Sequence, residues 1–204
     1  PGNPQMLCFE YATGHRPTHS SDVDLWRKAG SMLQALHQHH VDDHDPIDVR
    51  RAFQLRFEAL RVPAESHLGR SKWAWATEFG IPGSHICRVA CHRDFRPRNW
   101  LYTPAQKKLV VLDFGQSRLD DPFMDFSTLW PILRTGDIRA QAFFLGYGKH
   151  LESQERRRLD ALLCLRAIGT LHWGVRHQNQ RALDEGMRLL SLVNTPQFGD
   201  PFYD

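Results

Sequence analysis

Eight consecutive residues, His92-Arg-Asp-Phe-Arg-Pro-Arg-Asn99, carry most of the chemistry open to this chain, and Leu112-Asp-Phe-Gly115 follows after a strand-turn-strand. Phosphoryl transfer from a nucleotide needs few parts: a carboxylate to orient the attacking hydroxyl and accept its proton, and hard oxygen ligands to hold Mg²⁺ on the phosphates. Asp94 and Asn99 lie five apart on what reads as one tight loop, so both can face the same metal–phosphate centre. Asp113, at the mouth of the adjacent strand, completes a hard-oxygen donor set. An isolated Asp-Phe-Gly or His-x-Asp says little. The full H-x-D-x-x-x-x-N pattern ahead of a strand ending in D-F-G is specific, the alternative being a polar hairpin that carries these residues by coincidence.

The elements that must position this loop are mostly helices. Ser20-Ser21-Asp22-Val23-Asp24 supplies N-cap candidates and early acids for a helix carrying Val23, Trp26, Ala29, Met32, Leu33 and Leu36 on its apolar face. Residues 47–62 read as a second helix with Ile47, Phe53, Phe57 and Leu60 inward, and residues 37–48 as its polar approach. Two β-like runs, 85–90 and 109–112, flank the polar loop. The chain turns helical from Pro122, with helices over 137–152, 154–176 and 178–193 and an irregular end over 194–204. The fold class expected is mainly α with a small β-hairpin-like element near the middle.

Composition narrows the setting. The chain has 204 residues, 41% hydrophobic and 24% charged, enough for one buried domain or a large lobe of a bigger one. A net charge of +3 spread along the chain argues against nucleic acid as the main partner. No apolar run approaches the roughly 20 residues needed to span a bilayer, so a soluble cytoplasmic protein is the default. Cys8, Cys87, Cys91 and Cys164 form no CxxC pair and read as reduced thiols, with Cys87 and Cys91 as small core residues.

Several stretches resemble the aminoglycoside phosphotransferase family, small-molecule relatives of the protein kinases. Asp121-Pro122 and Asp125 match the family's Asp-Pro followed by an Asp that opens a helix, and no room remains after Asp113 for a protein-kinase activation segment. Leu33-Gln-Ala-Leu36-His37 resembles the family's Leu-x-x-Leu-His ending, and Gly146-Tyr-Gly148 resembles many bacterial members. Met6-to-Gly14 resembles the hinge that reads adenine. The resemblance covers roughly residues 6–190. It implies the C-terminal lobe of a protein-kinase-like fold, with residues 1–14 as a hinge-like strand leading from a missing N-terminal lobe and 15–204 as the catalytic and substrate lobe.

By that resemblance Asp94 is the catalytic base, Asn99 and Asp113 are Mg²⁺ ligands, and His92 organises the loop by hydrogen-bonding the backbone near the D-F-G turn. Arg96 stands where it can stabilise developing charge. Nucleotide contacts fall on Glu10, Ala12, Leu101 and Leu112, the co-substrate being ATP or GTP and the acceptor a small-molecule hydroxyl, antibiotics among the candidates. Arg93 departs from the pattern, standing where most antibiotic-modifying members carry glycine, and Gln116 replaces a common acid. The alternative is a non-catalytic binding domain, one-lobed or degraded.

Other features carry blander readings. His37, His39, His40 and His44 could chelate a metal, but a polar helix end is the favoured reading. Trp73, Trp75 and Phe79 read as packing residues, and Arg156, Arg157 and Arg158 as a solvated run. Trp173, Asp184 and Glu185 fall on the helices that would form an acceptor pocket, where acids would suit a cationic substrate.

Overall fold

The computed structural model describes residues 14–17, 22–39, 46–68 and 85–193. Among these, the chain is mainly helical with a small β content, as the sequence pattern predicts, although the β part is three separate two-stranded elements and not one hairpin. Helix α1 (Val23–Gln38) is capped by Asp22, whose carboxylate accepts the backbone N–H groups of Asp24 and Leu25. Its buried stripe is Leu25, Trp26, Ala29, Gly30, Leu33 and His37. The predicted face is therefore rotated: Val23 and Met32 are 41% and 36% exposed, while the last turn buries a histidine. The single helix expected over 47–62 is instead a two-residue strand β1 (Ile47–Asp48) and two helices, α2 (Val49–Ala59) and α3 (Arg61–Leu68). Asp48 stops the strand by capping α2 through the Arg51 N–H.

The two β-like runs do not pair with each other. Strand β1 pairs with β2 (His85–Ile86), and β3 (Val89–Cys91) pairs with β6 (Arg118–Asp120). The hairpin proper is β4 (Trp100–Thr103) with β5 (Lys108–Val111), register Trp100 to Val111. The incoming segment joins it by a bridge between His15 and Tyr102. Four further helices complete the body: α4 (Phe123–Leu133), α5 (Ile138–Tyr147), α6 (Ser153–Arg176) and α7 (Gln180–Val193).

One core runs through all of these, built from Leu25, Leu33, Trp100, Phe126, Leu129, Phe143, Leu163 and Ile168 among others. Helices α1 and α5 cross backbone to backbone. A Cβ on Gly30 would lie 2.1 Å from the Phe143 carbonyl oxygen, and one on Gly146 would lie 1.9 Å from that of Arg27. Gly148 then ends α5 in the left-handed region, φ 72°, which glycine adopts without steric cost.

The sequence readings of Cys87 and Arg158 need correction. Cys87 is exposed, and only Cys91 of that pair is buried. Arg158 is 7% exposed, not solvated: it pairs with buried Asp121 and lies over the Phe123 ring at 4.5 Å. Its position on α6 puts it opposite the start of α4, where Asp121 would otherwise be a lone buried charge.

Candidate active site

The polar loop between β3 and β4 is held from behind by one carboxylate. Asp125, fully buried in the first turn of α4, accepts the backbone N–H of His92 through Oδ2 at 2.8 Å and that of Arg93 through Oδ1. The same carboxylate accepts from His37 Nε2 at 3.0 Å, and His37 Nδ1 lies 2.8 Å from the Tyr147 hydroxyl. A carboxylate only accepts, so Nε2 carries a proton. Burial pushes the Tyr147 phenol well up, which keeps its hydroxyl protonated. Helices α1, α4 and α5 thus converge on one joint that orients the loop.

His37, Cys91 and Asp125 offer ligand atoms within 4.8 Å of one another. Each is already committed. The Cys91 thiol lies 3.5 and 3.4 Å from the Asp120 and Asp121 carbonyls and is pushed far up by burial, so it stays protonated. The cluster is a hydrogen-bonded brace. The reading of His37 as a polar helix end is corrected accordingly: it is 8% exposed and partnered on both nitrogens. His39 is exposed, and His40 and His44 lie outside the described residues.

Within the loop, His92 is buried with Nε2 2.9 Å from the Leu112 carbonyl and Nδ1 3.2 Å from the Asp94 N–H. The carbonyl requires a donor and the amide an acceptor, so the ring is neutral with its proton on Nε2. Its face meets Phe114 at 4.5 Å. This ring ties the loop to the strand end that leads into Asp113. Thr128 of α4 donates to the Phe95 carbonyl at 2.6 Å and fixes the loop's far side.

Asn99 Nδ2 donates to the Asp94 carbonyl oxygen at 2.9 Å and to its Oδ2 at 2.7 Å. Arg98 donates to Oδ2 at 2.9 Å, and Arg96 pairs with Oδ1. Burial pushes the Asp94 carboxyl up, but the hydrogen bonds from Arg98 and Arg96 outweigh it and hold the group below its ordinary value of 3.8. Asp113 is exposed, in left-handed backbone at φ 65°, and its carboxylate has no hydrogen bond or ion pair among the described residues. With both Asn99 donors turned to Asp94, the amide oxygen of Asn99 and the open carboxylate of Asp113 remain as hard donors. Hard oxygens are the donor type that Mg²⁺ takes.

Leu101 sits half-buried on β4 opposite Val110, and Leu112 is half-buried with its N–H donating to the Asn99 carbonyl at 2.8 Å. Glu10, Ala12, Trp73, Trp75 and Phe79 lie outside the described residues.

A cavity of about 740 Å³ opens beside Asp94. Its walls come from the loop and from α4, α6 and α7, with Trp173 and Glu185 among the lining residues. Asp184 is exposed, accepts from Gln180 and does not line it. Sequence reasoning missed Arg166, the one charged residue inside the apolar run Ala161-Leu-Leu-Cys-Leu-Arg-Ala-Ile168 of α6. That interruption of an otherwise buried stretch was the available signal. Arg166 lines the same cavity and donates to the Ser127 carbonyl at 3.3 Å.

The chain belongs to the phosphotransferase enzyme family (APH), whose pattern it matches over residues 5–162. The GDP and kanamycin complex of APH(2")-IIIa superposes with a TM-score of 0.72 at 18% identity, covering 91% of this chain and 69% of that one. The GDP complex of aminoglycoside 2'-phosphotransferase-IIIa gives 0.64 at 17% identity, with 89% and 67% covered. A choline/ethanolamine kinase family protein from Mesorhizobium loti gives 0.55 at 19% identity, with 85% and 62% covered. At these identities the likeness is one of fold. The chain spans about two thirds of the length of these relatives. No curated protein matches it closely. Among the described residues no helix is long and apolar enough to cross a membrane.

Proposed function

We propose that this chain is the catalytic and acceptor-binding lobe of a Mg²⁺-dependent kinase that moves the γ-phosphate of ATP or GTP to a small-molecule hydroxyl. The observation that supports it best is the arrangement around Asp94: a carboxylate on a braced loop, hydrogen-bonded to Asn99, at the edge of a cavity large enough for a small molecule. Asp94 would orient the acceptor hydroxyl and take its proton as the oxygen attacks the γ-phosphorus. The bond from that phosphorus to the β-bridging oxygen breaks, the nucleoside diphosphate leaves, and the proton passes from Asp94 to solvent. Asn99 and Asp113 would hold the metal, which neutralises phosphate charge. His92 and Asp125 touch neither reactant and act by positioning the loop. Arg96, paired with Asp94 at rest, would swing its charge toward the transferring phosphate. A cytoplasmic setting would supply the nucleotide and keep the thiols reduced.

The test is Asp94→Asn in the full-length protein, assayed for Mg²⁺-dependent nucleotide turnover and separately for nucleotide binding. Turnover should fall about 10²- to 10⁴-fold, the usual worth of a positioned base, with binding retained. Undiminished turnover would sink the assignment. Nucleotide binding with no turnover in the wild-type protein would instead favour a non-catalytic binding domain.

A further inference from the structure

The cavity beside Asp94 is lined by Arg93, Arg96, Arg98 and Arg166 against only two carboxylates, Asp94 and Glu185. Both acids are already claimed. Asp94 pairs with Arg96 and Arg98, and Glu185 accepts a two-pronged contact from Arg188 at 2.7 and 2.9 Å, from outside the lining. Arg93 shares one carboxylate, Asp120, with Arg56 and Arg118. Arg166 has no ion pair among the described residues, and its one hydrogen bond is the long one to the Ser127 carbonyl. Burial, with Arg96 beside it, pulls its guanidinium down to about 10, and the fields of Asp94 and Glu185, both already paired with other arginines, offset this only in part.

A polycation entering this cavity would meet uncompensated positive charge in a partly desolvated setting, where like charges repel most strongly. An acceptor carrying a carboxylate or phosphate would supply the missing partner, and a planar guanidinium receives either group with two parallel hydrogen bonds. We propose that the acceptor is a hydroxylated anion whose acidic group is bound by Arg166, while its hydroxyl is presented to Asp94. This rests on the kinase reading above and reverses the sequence-based expectation that acids near α7 favour a cationic substrate.

The experiment uses the full-length protein with Mg²⁺ and nucleotide, and a panel of matched acceptors: gluconate, glycerate and sugar phosphates, each beside its uncharged alcohol and its amino counterpart, with kanamycin as the polycation. Anionic members should be turned over at least tenfold more efficiently than their twins. Arg166→Met, which keeps the aliphatic stem, should raise the acceptor KM roughly ten- to a hundredfold, and Arg166→Lys should recover part of it. Arg166→Gln serves where the methionine variant does not fold. Preference for an uncharged or amino twin, or an unchanged acceptor KM in these variants, overturns the proposal. An equal rise in the nucleotide KM also overturns it, since the anion bound would then be the nucleotide's own phosphate. If Asp94-dependent nucleotide hydrolysis persists but no anion is phosphorylated, the anionic acceptor is wrong and the kinase reading stands. If that hydrolysis is absent altogether, the kinase reading itself fails.

Discussion

The crossing of α1 with α5 and the loop from His92 to Asn99 are held by opposite means. At the crossing two helices meet backbone to backbone through Gly30 and Gly146, with apolar side chains filling the space around them. Many small contacts share the work there, and shape is the constraint. The loop anchors Phe95 in the core, but its backbone is set by polar contacts. One carboxylate, Asp125, serves two consecutive backbone amides and a histidine, and one imidazole, His92, spans from Leu112 to Asp94. The constraint there is the count of donors and acceptors, and a single lost atom leaves a buried partner unsatisfied. A kinase-like lobe needs both: a body that resists deformation, and a loop whose polar atoms are set before substrate arrives.

That contrast yields a graded set of expectations. The largest effect belongs to Arg158→Met, which strands Asp121 at the junction of the two regions. Chemical unfolding should show a loss of about 3–5 kcal/mol, and adding Asp121→Asn should restore much of it. A small loss in the single variant would mean that the junction is wetter than the buried pair implies. Next, Gly146→Ala should cost about 2–3 kcal/mol by overpacking, because the obstacle at 1.9 Å is backbone and cannot rotate away. Wild-type stability there would break the claim that shape governs the body.

In the loop, Arg98→Ala removes a hydrogen bond to the Asp94 carboxylate. The folded value of Asp94 is depressed, so its contribution to stability is present above 3.8 and lost as pH falls through the folded value. Without Arg98 that folded value rises, and the acid limb of the pH–rate profile should move to higher pH. An unmoved limb would show that Asp94 is not the group it reports. The smallest effect separates two variants at one site. Arg93 adopts φ 67°, so Arg93→Gly should be more stable than Arg93→Ala by about 1 kcal/mol, read from urea midpoints.

Much of this was legible in the sequence, for physical reasons. Helix periodicity found α1, α6 and α7, because their apolar spacing is set by the same burial that holds them. The H-x-D-x-x-x-x-N and D-F-G spacing located the loop, since five residues on a tight turn bring Asp94 and Asn99 within 2.7 Å. What stayed hidden was pairing across long separations. His37 and Asp125 are 88 residues apart, and Arg158 and Asp121 are 37 apart. A charged residue opposite its partner looks, in sequence, like any solvated one. The face of α1 was misjudged for a related reason: His37 is drawn inward by Asp125 and Tyr147, and polarity alone points it outward.

Arg93 carries a further consequence, in the language of codons. Every arginine codon is one base change from a glycine codon, and glycine is the residue that φ 67° favours. The gene therefore sits a single step from a relaxed backbone at this position. Taking that step removes the guanidinium that meets Asp120 and lines the cavity beside Asp94. Saturating this one codon and sorting the variants separately for folded yield and for acceptor use would split the two demands. Glycine should rise in the first sort and arginine in the second.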